Sequence, residues 1–223
     1  MAARDGNTLR TRRTRSRILA AGLRLFNELG EGRVTTGMIA AELDMSPGNL
    51  YYHFRNKDQI VEELFAAFEG RVDIGIGEPI GAPEAIEDLW AYLHLVLEAM
   101  RDYRFLYRNL DDLASRSRRF GERFNRILDR EFDAVVALCG GLARAGAMRA
   151  GPAQIRALAR NVLVVATYWL NYRARRAGRS SAPPASDADD LGQGAFQVMA
   201  LVAPYLVGGA RRHLEHLSRR YID

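Results

Sequence analysis

Apolar residues along this chain recur at spacings of three and four, the period of one face of an α-helix, and no stretch reads convincingly as a strand. Ile18, Leu19, Gly22, Leu25, Phe26 and Leu29 form the first such stripe, which Gly30 closes as a C-cap. Ile39, Ala40 and Leu43 carry a shorter stripe, with Thr35 or Thr36 placed to cap its start. Asp44-Met45 reads as a tight turn. Ser46 follows as another N-cap, and Pro47 takes the first helical position, where its missing N–H costs nothing. Leu50 and Phe54 give this third helix its inward face. Asn56 caps a fourth helix, which starts at Lys57 and buries Ile60, Leu64, Phe65, Phe68 and Val72.

A breaker-rich connection over residues 75–83 interrupts the pattern. Beyond it the spacing stays helical. Pro83-Glu84 opens a helix with Ile86, Trp90, Leu93, Leu97 and Met100 on one face; Phe105, Leu106, Leu110 and Leu113 lie on a shorter one. A long helix follows with Phe120, Phe124, Ile127, Leu128, Phe132, Val135, Val136 and Leu138. Gly151-Pro152 starts another, whose centre over 163–170 is apolar nearly all round and must be covered on more than one side. Residues 178–186 read as a polar loop. Asp187, Asp189 and Asp190 then precede a last helix, which carries Phe196, Met199, Leu201, Val202, Tyr205, Leu206 and Val207, with a kink at Pro204. The pattern predicts an all-α fold of about nine helices. Residues 1–57 are expected to form a three-helix helix-turn-helix domain with a basic N-terminal arm, and 58–223 a helical domain.

The third helix is where side-chain chemistry departs from packing. Asn49, Tyr51, Tyr52 and His53 ring its outer side, and a two-turn helix cannot turn two adjacent tyrosines and a histidine toward one core. Amides read base edges, phenol hydroxyls bond phosphate oxygens, and the open helix start after Ser46 offers N–H groups to a phosphate. Charge points the same way. The net charge is +5, and residues 1–57 hold ten basic residues against five acids, so the whole excess lies there. The remainder balances at 22 and 22. A basic field confined to the helix-turn-helix fits a polyanionic partner. Residues 1–9 read as a polar, disordered tail, and the acid-free run 10–17, Arg15 included, as an arm or first helical turn along phosphates.

The residues also carry a family resemblance. Residues 18–26, Gly30, Thr35-Thr36, Ile39-Ala40, the run 46–54 from Ser46 to Phe54, and Lys57-Asp58 resemble the DNA-binding domain of the tetracycline-repressor (TetR) family over about residues 14–64. Asp44-Met45 departs from that pattern, in which Gly-Val more often precedes the serine. The resemblance implies that Thr36, Ser46, Tyr51, His53 and Lys57 contact phosphates and that Gly48, Asn49 and Tyr52 face base edges. Pro47 and Arg15 complete the expected DNA-binding set. It further implies a homodimer paired through the last two helices, a palindromic double-stranded operator and release by a small effector. The dimer face is expected at Val165, Trp169, Tyr172, Met199, Tyr205 and Leu206. A hydrophobic or amphipathic effector is expected among Trp90, His94, Leu97, Met100, Phe105, Tyr107, Phe124, Leu128 and Tyr168.

Other chemistry is not in view. No Gly-rich phosphate loop, HExxH, GxSxG or EF-hand pattern occurs, so the chain is not expected to be an enzyme or to need a cofactor or metal. The single cysteine, Cys139, allows no internal disulfide, and no run of 18 uncharged apolar residues is present; a cytoplasmic protein without a membrane span is expected. Two alternatives stay open at this stage: an architectural DNA-binding protein without an effector, and an enzyme with an appended DNA-binding module.

Overall fold

The computed structural model describes residues 2–76, 86–177 and 187–218. Among these the chain forms eleven α-helices and no named strand. They are α1 Ala2–Leu29, α2 Thr36–Glu42, α3 Pro47–His53, α4 Lys57–Ile76, α5 Ile86–Asp102, α6 Arg104–Arg108, α7 Leu110–Arg116, α8 Arg118–Arg144, α9 Pro152–Ala177, α10 Asp187–Val202 and α11 Gly208–Ser218. Short 3₁₀ turns lie at Glu31–Arg33 and Ala203–Tyr205. The expected all-α fold with an N-terminal helix-turn-helix is observed.

Two compact units emerge. The first takes in residues 1–69 and 103–120, so it holds α6 and α7 as well as α1 to α3 and the start of α4. Its core is aromatic. Phe26 lies 5.2 Å from Phe105 between ring centres, Phe65 4.5 Å from Phe120, and Phe68 5.8 Å from Tyr107 in an edge-on contact. Asn27, itself buried, accepts from the Phe105 N–H at 3.0 Å through its side-chain oxygen and from Arg108 at 3.3 Å through its main-chain oxygen. These bonds tie α6 to the end of α1. Gly22 is a tight crossing: a Cβ there would stand 3.1 Å from Ile60.

The second unit takes in residues 70–102 and 121–223. In it α5 packs on α10 and α11, and α9 packs on α10. The expected kink at Pro204 is a full break. α10 ends at Val202, a 3₁₀ turn carries Pro204, and α11 restarts at Gly208, whose φ of 57° favours glycine. The break is held from outside: Arg149 N–H donates to Tyr205 O at 2.7 Å and Val207 N–H to Ala147 O at 3.0 Å.

Other departures have local causes. Residues from Ala2 onward, read as a disordered tail, continue α1, and no proline interrupts them. The shorter helix expected after Phe105 is two, α6 and α7, divided at Asn109. Asp187 begins α10 rather than preceding it. Residues 77–85, including the Pro83-Glu84 helix start, and the loop 178–186 lie outside the described residues.

Candidate nucleic-acid interface

The helix-turn-helix is built by caps. Thr35 Oγ1 accepts from Met38 N–H at 3.2 Å and starts α2; Ser46 Oγ accepts from Asn49 N–H at 3.2 Å and starts α3, with Pro47 in its first turn. Between them Asp44 adopts φ 51°, and Met45 N–H returns to Ala40 O at 3.0 Å. Ile39, Ala40, Leu50 and Phe54 are buried and fix the pair against α1. Asn56 Oδ1 accepts from Gln59 N–H at 2.9 Å and caps α4 as expected.

What α3 leaves outside is polar. Tyr52 is 77% exposed and Tyr51 50% exposed, and Ser46, Pro47, Gly48 and Asn49 are all exposed. The Tyr51 hydroxyl lies 3.1 Å from the Thr36 hydroxyl, so α2 and α3 present one continuous hydroxyl edge. His53 is half-buried and meets Tyr52 edge-on. Its pKa is lowered, first by burial and then by the neighbouring Arg15 charge, which favours the neutral imidazole.

Two cations of the expected DNA set are engaged inside the protein. The Arg15 guanidinium donates to the main-chain oxygen of His53, pairs with Glu63 and stacks 4.2 Å over the Phe54 ring. Lys57 Nζ donates to Glu31 O at 2.9 Å and stands 3.0 Å from Glu31 Oε1, where the geometry is that of an ion pair without hydrogen-bond alignment. The Glu31 side chain is fully buried and also receives Arg116 at 2.7 Å. A buried carboxylate between two cations is costly to disturb from either side. Sequence reading missed Asn27, Glu31 and Arg116, because nothing in local spacing brings residue 31 to residue 116.

The residues expected to line an effector site fall into both units. Phe105 and Tyr107 belong to the aromatic core of the first. Trp90, His94, Leu97, Met100, Phe124 and Leu128 lie in the second. There Leu97, Met100 and Phe124 are buried, Leu128 is half-buried, and the Trp90 and His94 rings stack 4.6 Å apart along α5. Tyr168 stands instead on the surface of α9, lining a shallow groove with Val164, Val165, Trp169, Tyr172 and Gln197. Val165, Trp169 and Tyr172 are three of the residues expected at a dimer face, and Tyr205 is half-buried. Met199 and Leu206 are buried within the chain, because their side of α10 and the turn after it meets the chain's own core. Trp169 packs so closely on Gly194 that a Cβ there would stand 2.9 Å from the indole.

A pair of capped short helices around a tight turn, with the second presenting an unburied polar face, defines a helix-turn-helix DNA-binding regulator. A family profile described as "Bacterial regulatory proteins, tetR family" matches residues 18–64, and one described as "Bacterial transcriptional repressor", TetR, matches residues 61–214. The chain belongs to the TetR family. A TetR-family transcriptional regulator from Marinobacter aquaeolei VT8 is similar in structure, with a TM-score of 0.81 and 35% identity, over 93% of this chain and 98% of that one. A bacterial regulatory protein in the tetR family from Rhodococcus RHA1 shares the fold at a TM-score of 0.60 and 21% identity, over 87% of this chain and 98% of that one. The tetracycline repressor protein class G of Vibrio anguillarum is 37% identical over 54 residues, 24% of this chain; the match spans about a quarter, 26%, of that relative. Among the described residues no helix is long and apolar enough to cross a membrane.

Proposed function

We propose that this chain is a repressor that binds a palindromic operator as a homodimer and leaves it when a small hydrophobic or amphipathic effector binds. The observation that carries the DNA half is the outer face of α3, where Asn49 and Tyr52 are exposed on a helix whose other side is fully buried. In this reading Gly48, Asn49 and Tyr52 face base edges, while Thr36, Ser46, Pro47, Tyr51 and His53 lie along the phosphates. Arg15 and Lys57, engaged as they are, serve by holding α3 and the start of α4. Residues 1–57 supply the DNA-binding part and 58–223 the effector and dimer part, joined through α4.

The dimer half rests on α9. Val164 is 67% exposed, and Tyr168 and Tyr172 stand beside it, an unusual apolar and aromatic strip for a surface helix. A second copy covers it by two-fold pairing, and two α3 helices then meet successive major grooves about 34 Å apart.

The test is operator discrimination. Full-length protein is titrated by fluorescence anisotropy against duplexes from the DNA flanking its own gene, with scrambled duplexes as reference. Asn49→Ala is expected to relax preference at one position in each half-site, by about 1–3 kcal/mol. Unchanged binding to both operator and scrambled DNA would sink the base-reading role of α3.

A further inference from the structure

The apolar stripe of α8 contains one acid. Phe124, Ile127, Val135 and Leu138 are buried on it, and Glu131 occupies the turn between Ile127 and Val135 with 6% of its surface exposed. Among the described residues its Oε1 has no hydrogen-bond partner. On the buried face of α5, Tyr92 is 5% exposed, and its hydroxyl also has no partner among the described residues. Both lie in the second unit, and the Glu131 charge acts on the Tyr92 phenol, which burial first and that charge second push above its usual range. Arg130, the cation that favours Glu131 ionisation, is itself paired with Asp73 at 2.5 Å. Buried polar atoms almost always find partners, and a buried carboxylate oxygen and a buried phenol of one unit, both without a partner among the described residues, mark a place where a partner belongs.

The chemistry of that partner is constrained. An ionised carboxylate needs hydrogen-bond donors, a phenol oxygen can accept one, and a buried negative charge needs a positive one. A carboxylate or phosphate ligand would be repelled. A neutral alcohol would supply one donor and leave the charge uncompensated. Leu89 and Leu93, within one turn of Tyr92 on α5, and Phe124 and Ile127, within two turns of Glu131 on α8, are buried and apolar, the surroundings that the rest of such a ligand needs.

We propose that Glu131 and Tyr92 are the polar anchor of the effector site, and that they select a hydrophobic organic ammonium whose N–H groups donate to Glu131 Oε1 and Tyr92 Oη. This rests on the effector-released reading above and names the class of effector. Binding makes no covalent bond. A fraction of Glu131 is protonated near neutral pH, since burial pushes its carboxyl up to about 7, so the ammonium displaces a proton when it docks. Among the charged groups, Glu131 acts on Tyr92 and Arg130 acts on Glu131.

The experiment uses the full chain and a set of primary ammonium compounds graded from butyl to naphthylethyl, each matched with the alcohol and the carboxylate of the same skeleton. Calorimetry gives affinity, two buffers of different ionisation enthalpy give the proton count, and anisotropy gives operator release. In the wild type an ammonium is expected to bind at least tenfold tighter than its alcohol, to release protons at pH 7 and to weaken operator binding, while the carboxylate does not bind. Glu131→Gln is expected to erase the ammonium preference and the proton release while keeping alcohol affinity. Tyr92→Phe, which removes only a hydroxyl, is expected to weaken ammonium binding severalfold and gives a second reading should the first variant fold poorly. Alcohols that bind as tightly as ammonium compounds and release operator would overturn this anchor and leave the effector reading intact. No binding and no release by any member of the three series would overturn both.

Discussion

The guanidinium of Arg15 meets three groups at the far end of the recognition helix: the His53 carbonyl oxygen, the Glu63 carboxylate and the Phe54 ring. In the proposed reading it acts on DNA binding by fixing where α3 ends, and the sign of a neighbouring substitution separates this role from a phosphate contact. Were Arg15 a phosphate ligand, Glu63→Gln would free it and tighten binding. As a clamp it loses its hold, so Glu63→Gln and Arg15→Ala are both expected to weaken operator binding, by about 1–3 kcal/mol. The slope of log affinity against log salt should stay unchanged, whereas loss of one phosphate contact flattens it by about 0.9. Titration at four salt concentrations measures both. Glu131 makes a second residue-scale prediction. Its carboxyl ionises near 4.5 when unfolded and near 7 when folded, so between those values the folded chain holds the extra proton. Stability is present below that window and falls as pH rises through it, by at most about 3 kcal/mol. Glu131→Gln cannot ionise, and its urea-unfolding free energy is expected to gain on the wild type from pH 5 to pH 8. Cys139 behaves oppositely to a reactive thiol, since burial pushes its pKa up to about 11 and keeps it protonated.

At the scale of elements, the caps and stripes were legible because helix starts and buried faces are local properties. Thr35, Ser46 and Asn56 cap where their hydroxyls and amide stand in the sequence, and Gly30 ends α1 with φ 86°. The turn residue was legible only as a departure. Asp44 sits where the family more often has glycine, and its φ of 51° gives the reason: the turn needs the left-handed region, which an aspartate tolerates and a β-branched residue does not. Asp44→Gly is expected to be neutral or stabilising by up to about 1 kcal/mol, and Asp44→Val destabilising by more than about 1 kcal/mol, read by thermal unfolding. The partners of Glu31 and Asn27 were not legible. Asn27 meets Phe105 and Arg108, about eighty residues away, and a loop acid with an ordinary local pattern carries no mark of such contacts. Glu131 did carry one, as the single acid in an otherwise apolar i, i+4 series. Reading the stripe through Phe132 obscured it; Phe132 is half-buried and lies under Arg156 and Arg160.

For the whole molecule, in the proposed dimer, the aromatic strip of α9 ties assembly to operator binding. A single helix-turn-helix makes few contacts, and two held at one turn of DNA bind cooperatively only if their spacing is fixed. Val164→Arg places a charge in the middle of the strip without touching the buried core. It is expected to shift sedimentation at micromolar concentration from dimer to monomer and to weaken operator binding by tenfold or more, while half-site binding at low salt survives. A variant that stays dimeric would move the interface elsewhere.

Lys57 is the only lysine among 32 basic residues, and its amine sits against a fully buried carboxylate. The chain therefore offers acylating chemistry a single ε-amine, partly exposed in the corner where α4 begins. Once acylated, the nitrogen carries no charge, and Glu31 is left to Arg116 alone. An acyl group at this one atom would take away the cation that ties the start of α4 to Glu31.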